Sequence, residues 1–114
     1  DFLGNVEGNW DRVLALRFLT AFMVMLLPTL LIGDLNASYW HPDFRRVLDT
    51  GFVDAHIANG KGFSASWPTD MVVPAFVRLD HALTIGGLVS TDVADFEIPG
   101  SDHRGFVVTV APTP

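Results

Sequence analysis

Acidic, amide and imidazole side chains stand at the ends of apolar runs in three places along the chain. Asp34 and Asn36 follow one such run, Asp80 opens a second, and Asp102 and His103 precede a third. Carboxylates supply the hard oxygen ligands that Mg²⁺ prefers. An amide can orient a phosphate or a water molecule, and a histidine can transfer a proton or stabilise charge on phosphoryl oxygens. Together these residue types predict divalent-metal phosphoester chemistry.

The three motifs resemble the C-terminal half of the endonuclease/exonuclease/phosphatase family, the deoxyribonuclease I-like phosphoesterases. The family's Gly-Asp-x-Asn motif corresponds to residues 33–36, its Asp-His strand to residues 79–81, and its terminal Ser-Asp-His to residues 101–103. Each motif alone is a weak signal because such short strings are common. Three of them in the family's order, each beside a strand-like run, make a fairly specific signal. The resemblance extends over residues 10–110.

The resemblance implies a role for each of five residues in hydrolysis assisted by Mg²⁺ or Mn²⁺. Asp34 would activate or position the attacking water, and Asn36 would contact the phosphate. Asp102 would be a metal ligand, His103 would lie beside the scissile phosphate, and Asp80 would hydrogen-bond His103. Without the resemblance, the same residues are also compatible with an Asx turn, a solvated turn and an edge-strand carboxylate facing water.

The family's first half supplies a metal-binding Glu, an early Asn and a further His or Tyr, and none has a match in this chain. Glu7 and Glu97 stand in different contexts. We therefore expect residues 1–114 to be the C-terminal portion of the domain, with little activity in isolation. The implied fold class is α+β, as part of a four-layer α/β/β/α sandwich. The expected architecture is one mostly antiparallel sheet with helices on one face.

Composition narrows the possible partners. The 114 residues carry a net charge of −6, which argues against tight binding of duplex DNA through a basic face. Bound metal ions can still bring positive charge to a phosphoester. The resemblance leaves the substrate open among nucleic acid, an inositol phosphate and a lipid headgroup. The absence of cysteine excludes disulfides and Cys-based zinc sites. The sequence leaves the cellular compartment of the protein open.

Apolar and turn patterns predict the order of the elements. Gly86 and Gly87 suit a hairpin between two of the strands, and Gly51 suits the end of a helix. Gly105 stands where the family commonly has a proline. The predicted helices cover residues 10–27 and 41–48, and the predicted strands cover residues 29–32, 76–84, 88–98 and 106–110.

The apolar segment of residues 14–33 has two possible interpretations. Its length is close to that of a membrane span, although Arg17 and Pro28 interrupt it. The favoured alternative is a helix that ends before Pro28, packs on a sheet and exposes an apolar face. That face would meet a membrane surface, the missing half of the domain or another subunit. It motivates the rival hypothesis of a non-catalytic interaction module, and an expectation of self-association.

The remaining histidines and the arginines beside the motifs receive minor roles. His41 and His56 are expected at the surface or in loops, and His81 is expected to serve packing. Arg78 and Arg104 flank motif residues, where they would offset phosphate charge.

Three aromatic residues are expected on loops near the mouth of the site. Trp40, Phe63 and Trp67 would stack on a base, an inositol or a lipid headgroup, or would fill the core instead.

Overall fold

The computed structural model describes residues 27–114, so the predicted helix over residues 10–27 lies almost wholly outside the described part. Residues 14–26 of the possible membrane span also lie outside it. Residues 29–34, at the other end of that segment, form a β-strand. Between residues 27 and 114, no helix has the length and apolarity needed to cross a bilayer.

A three-stranded antiparallel sheet carries the first two motifs. Strand β1 is Thr29–Asp34, β2 is Val53–Asp54 and β3 is Asp80–Ile85, in the spatial order β1-β3-β2. The register pairs Asp34 with Asp80 and Gly33 with His81. Because directly paired residues lie on the same face of a sheet, the two carboxylates are brought together at the end of β1.

The second sheet is a two-stranded antiparallel ribbon that ends at the third motif. Strand β4 is Leu88–Phe96 and β5 is Gly105–Pro112, with an irregularity in the register between Ser90 and Asp92. The hairpin predicted at Gly86-Gly87 is wrong. That turn leads from β3 in one sheet to β4 in the other, and the two strands are not hydrogen-bonded neighbours. The described strands therefore form two sheets in place of the single expected sheet, because β4 pairs with β5 and not with β3. Their antiparallel pairing, with helices between strands, confirms the α+β class.

Two short helices connect the strands of the first sheet. Helix α1 is Pro42–Asp49, where His41 caps the N-terminus and Pro42 occupies a first-turn position that needs no backbone N–H. Only Phe44 of this helix is buried. Helix α2 is Ala55–Ala58, capped by Asp54, whose carboxylate accepts from the backbone N–H groups of His56 and Ile57. The position of the predicted helix over residues 41–48 is confirmed.

The core contains an unusual share of polar side chains. Ala55, Ala82, Leu83 and Val93 are fully buried. Fully or almost fully buried with them are the polar side chains of Asp54, His56, Ser66, Arg78, His81 and Thr84. Burial of such groups is costly unless they are hydrogen-bonded, so their partners determine how the segments fit together.

Asp95 on β4 ties the ribbon to helix α2 and to the segment that leads into β3. Its carboxylate accepts from Nε2 of His56 at 3.0 Å and from the guanidinium of Arg78 at 2.8 Å. The expectation of a surface or loop position for His56 is wrong, because the side chain is fully buried. This burial also lowers the pKa of the ring. Arg78 is also buried and is paired with Asp95, so the role of offsetting phosphate charge stays a prediction. The tie to Asp95 is its structural role.

Gly105 has a steric reason for lacking a side chain. A Cβ atom at this position would lie 2.5 Å from the ring of Phe96, its partner across the ribbon. The departure from the family's proline therefore accompanies the packing of Phe96 over the start of β5.

Candidate active site

The first motif forms a tight turn at the end of β1. The strand ends at Asp34, and Asn36 adopts the left-handed conformation with φ of 49°. The backbone N–H of Asn36 donates to Oδ1 of Asp34 at 2.8 Å, which makes an Asx turn. The N–H of Leu35 donates to the carbonyl of Leu79 at 2.9 Å. The Asx turn and the exposed positions of Asp34 and Asn36 leave both side chains accessible at the surface.

His103 and Asp80 form the central contact of the site. Nδ1 of His103 lies 2.7 Å from Oδ2 of Asp80, the partner that the sequence interpretation assigned to it. The same Oδ2 accepts from the hydroxyl of Ser66 at 2.6 Å. The Ser66 hydroxyl in turn accepts from the backbone N–H of Leu79 at 3.0 Å. Asp80 is thus held from two sides, and its bond to Nδ1 turns Nε2 of His103 toward the other acidic residues.

Two further carboxylates surround Nε2 of His103. Oδ2 of Asp34 lies 3.8 Å from this nitrogen and Oδ1 of Asp102 lies 4.0 Å from it. The side chains of Asp34 and Asp102 are about half exposed, at 49% and 54%, whereas those of Asp80 and His103 are 14% and 22% exposed. The imidazole therefore stands between a sheltered carboxylate and two carboxylates open to solvent.

These carboxylates raise the pKa of His103 above its ordinary value. The largest contribution is the hydrogen bond that the ring donates to Asp80, which favours the charged ring. Burial acts in the opposite direction, and the negative charges of Asp80, Asp34 and Asp102 raise the pKa further. The site therefore favours a protonated ring that can donate to an anionic oxygen.

The segment around Trp67 holds the loop of the third motif. The indole Nε1–H of Trp67 donates to Oδ2 of Asp102 at 3.2 Å. The backbone N–H of Thr69 donates to the carbonyl of Asp102 at 2.9 Å, and the N–H of Arg104 donates to the carbonyl of Ser66 at 2.8 Å. Loop 101–104 is therefore anchored beside the sheet that carries Asp34 and Asp80.

The guanidinium of Arg104 is hydrogen-bonded to two acceptors within the chain. Its Nε donates to Glu97 at 2.6 Å and its NH1 donates to the carbonyl of Ala65 at 3.1 Å. The guanidinium is engaged in these contacts, so the role of offsetting phosphate charge stays a prediction.

The donor set suits a divalent cation. One ligand atom each from Asp34, Asp80 and His103 lies within 4.8 Å of the others. The exposed carboxylate of Asp102 lies at the same imidazole. Carboxylate oxygens are the ligands that Mg²⁺ and Mn²⁺ prefer, so the carboxylates of this cluster fit the metal that the sequence interpretation expected. The protonated ring of His103 is a hydrogen-bond donor beside them and not a ligand.

Ser66 and Trp67 are the contributors that sequence reasoning missed as partners of the motifs. Both lie in the stretch of residues 63–68, which ends in Trp-Pro, and this stretch carries no spacing signal toward Asp80 or Asp102. Their contacts span 14 and 35 residues. Only the fold brings them to the site.

The aromatic residues expected at the site mouth separate into two groups. Trp67 is partly buried against Phe76, with ring centroids 5.9 Å apart in an edge-to-face contact. Trp40 and Phe63 are largely exposed and line a cavity of about 760 Å³ together with Phe76 and Ile57. The cavity is mostly apolar. Stacking of these rings on a base, an inositol or a lipid headgroup stays a prediction.

A family comparison agrees with the motifs. The model of the Endonuclease/Exonuclease/phosphatase family matches residues 4–103, which is most of the chain. The chain belongs to this family. Comparisons with curated proteins and with solved structures give no match. Members of the Endonuclease/Exonuclease/phosphatase family are generally hydrolases of the phosphoesterase or nuclease type, and membership supports a hydrolase in these general terms.

Proposed function

We propose that this chain is the C-terminal part of a phosphoesterase that depends on Mg²⁺ or Mn²⁺ and hydrolyses phosphodiesters or phosphomonoesters. The observation that carries the proposal is the position of His103, with Asp80 at Nδ1 and with Asp34 and Asp102 near Nε2. This arrangement occurs in a chain whose family is hydrolytic.

Asp80 and Ser66 prepare His103 for the reaction. The bond to Asp80 keeps a proton on Nδ1 and stabilises the charged ring. The charged ring presents its second N–H, on Nε2, to a phosphoryl oxygen, where it opposes the negative charge that develops during hydrolysis. The Ser66 hydroxyl donates to Asp80 and so limits rotation of its carboxylate.

Asp34 and Asn36 serve the nucleophile and the phosphate. The open carboxylate of Asp34 can orient a water molecule and accept its proton. The Asx turn holds the backbone of Asn36 while its side-chain amide remains available to donate to a phosphate oxygen. Attack would be in line with the leaving oxygen.

The carboxylate of Asp102 would hold the metal, with Asp34, the other exposed carboxylate near Nε2 of His103, as a further oxygen donor. A bound Mg²⁺ or Mn²⁺ supplies charge stabilisation for the phosphoryl oxygens in a site that is otherwise acidic. The indole of Trp67 donates to one oxygen of Asp102 and leaves the other free for the metal.

Metal binding tests the proposal without requiring turnover. Mn²⁺ is titrated into the chain, and broadening of the His103 ring signals is followed by NMR. We expect saturable broadening that weakens at least about tenfold in affinity in Asp102→Asn, because a ligand is lost. Asp92→Asn is the control, since Asp92 lies on β4 outside the cluster. Equal Mn²⁺ binding by the wild type and Asp102→Asn would refute the assignment of the metal ligand.

A further inference from the structure

His81 lies in the core immediately behind the candidate site. Its side chain is fully buried. Nδ1 lies 2.9 Å from Oδ2 of Asp54, and Nε2 lies 2.7 Å from the carbonyl oxygen of Ala37. A carbonyl oxygen only accepts hydrogen bonds, so Nε2 is the donor in the second contact. The ring thus joins β2 on one side to the loop after β1 on the other.

The contact with Ala37 reaches the residue that follows Asn36. Before Asn36, the N–H of Leu35 binds the carbonyl of Leu79, the residue that precedes β3. After Asn36, the carbonyl of Ala37 binds His81 on β3. Asn36 stands between these two attachments with φ of 49°. A left-handed conformation is uncommon for a residue with a side chain, although Asn is one of the types that adopts it most readily. Attachment on both sides therefore restricts the direction of the Asn36 side chain.

Asp54 provides a rigid base for the imidazole. Its carboxylate also accepts from the backbone N–H groups of His56 and Ile57 and from the hydroxyl of Tyr39 at 3.1 Å. Burial acts to raise the pKa of Asp54, but the hydrogen bonds from His81 and Ile57 outweigh burial and hold the pKa below its usual range. Asp54 therefore stays a carboxylate, fixed by donors from three segments.

We propose that His81 is a positioning residue, which holds the Asn36 turn in place by donating from Nε2 to the carbonyl of Ala37. Asp54 orients the ring for this contact. The catalytic importance of the turn rests on the proposed function, but the positioning itself does not. The inference gives His81 a task beyond the packing role expected from sequence.

Packing is the alternative explanation for the same ring. The His81 imidazole lies 4.3 Å from the ring of Phe44 and 5.2 Å from that of Tyr39, measured between centroids. If these ring contacts and the pair with Asp54 were the whole role of His81, its hydrogen bond to the Ala37 carbonyl would have no effect on the turn. Replacing one ring nitrogen at a time separates the two explanations.

Two amide substitutions form the matched pair. In His81→Asn the side-chain NH₂ stands near the position of Nδ1, so it keeps the bond to Asp54 and loses the bond to Ala37. In His81→Gln the NH₂ stands near the position of Nε2, so it keeps the bond to Ala37 and loses the bond to Asp54. Hydrogen exchange of two backbone amides reports the result. Asn36 donates within the turn, and Ile57 donates to Asp54.

The ratio of exchange rates at Asn36 and Ile57 is measured by NMR within each sample, which cancels changes in global stability. We expect this ratio to rise about tenfold in His81→Asn and to fall about tenfold in His81→Gln, the size expected for loss of one hydrogen bond to each segment. A ratio in His81→Asn within about twofold of the wild type would overturn the proposal.

A measurement on the wild type covers the case in which a variant does not fold. A scalar coupling across the hydrogen bond between ¹⁵Nε2 of His81 and the ¹³C carbonyl of Ala37 should be detectable, and its absence would refute the contact. Neither measurement needs metal or substrate. A chain that hydrolyses no phosphoester but shows the expected ratio would retain the positioning role of His81 and lose only the proposed function.

Discussion

Nδ1 of His103 and Oδ2 of Asp80 are 2.7 Å apart, although 23 residues separate them along the chain. Asp80 begins β3, and His103 lies in the loop between β4 and β5. The two residues thus connect the three-stranded sheet to the loop that ends the two-stranded ribbon. In a phosphoesterase, this contact would determine which nitrogen of the imidazole faces the substrate.

Asp80→Asn should lower the pKa of His103 toward its ordinary value, because the largest cause of the raised pKa is the hydrogen bond that the ring donates to Asp80. NMR titration of the His103 ring measures the midpoint directly. Asp92→Asn should leave the midpoint unchanged, because Asp92 does not contribute to it. An equal midpoint in the wild type and Asp80→Asn would contradict the prediction.

The same pair predicts the pH dependence of stability. Because the pKa of His103 is higher in the folded chain, the pair stabilises fully below the unfolded value of about 6.5. That contribution is lost as the pH rises through the folded value. The difference in free energy of unfolding between wild type and His103→Asn should therefore be larger at acidic than at alkaline pH. Urea unfolding at both pH values measures it, and an opposite trend would refute the sign.

Asp54→Asn should destabilise the fold by about 3 kcal/mol, because it removes the charged partner of a fully buried histidine. Asp43→Asn is the control, since its pair with Arg46 is exposed and contributes about 0.5 kcal/mol or less. The pKa of Asp54 is lowered in the fold, so its contribution is present above about pH 4 and is lost as the pH falls through the folded value. Equal losses in both variants would contradict this account.

Trp67→Phe should weaken Mn²⁺ binding by about tenfold, because the indole N–H no longer orients the carboxylate of Asp102. The substitution keeps an aromatic ring beside Phe76. Trp40→Phe is the matched control, because Trp40 is exposed and has no bond to a site carboxylate. Calorimetric titration of the three proteins measures the affinities, and a larger effect at Trp40 would count against the role of Trp67.

The chain should self-associate through β1. Leu30, Leu31 and Ile32 are each more than a third exposed, so this strand presents apolar side chains on both faces. Within the described residues β1 pairs only with β3, and we expect a second copy to pair at its other edge. Light scattering should detect an oligomer that Ile32→Lys weakens more than Val107→Lys does. A monomer at high concentration would refute the prediction.

The isolated chain should hydrolyse phosphodiesters slowly or not at all. No residue of this chain stands in the sequence context of the family's metal-binding Glu, and loss of one member of a cooperative site costs orders of magnitude in rate. A colorimetric assay with bis(p-nitrophenyl) phosphate and Mn²⁺ measures the rate. Robust turnover that His103→Ala abolishes would show that the chain is sufficient for catalysis.

The sequence by itself was enough to recognise the family and the α+β class, because the motifs and the apolar runs are local patterns. The order and spacing of Asp34, Asp80 and His103 were readable along the chain. The position of α1 and the start of β1 also followed from local signals, since capping residues and the apolar run after Pro28 act over a few positions. Strand β1 continues to Asp34, two residues past its predicted end.

Only the tertiary structure decided which strands pair and which polar groups are buried. The Gly86-Gly87 turn has the composition of a hairpin. However, β1 and β2 occupy both edges of β3, so neither edge is left for β4. His56 is expected at the surface or in a loop from its sequence, and the sequence gives His81 only a packing role. Asp95 and Asp54 meet these two histidines across 39 and 27 residues and make their burial possible. Such partners depend on long-range packing, and no local pattern encodes them.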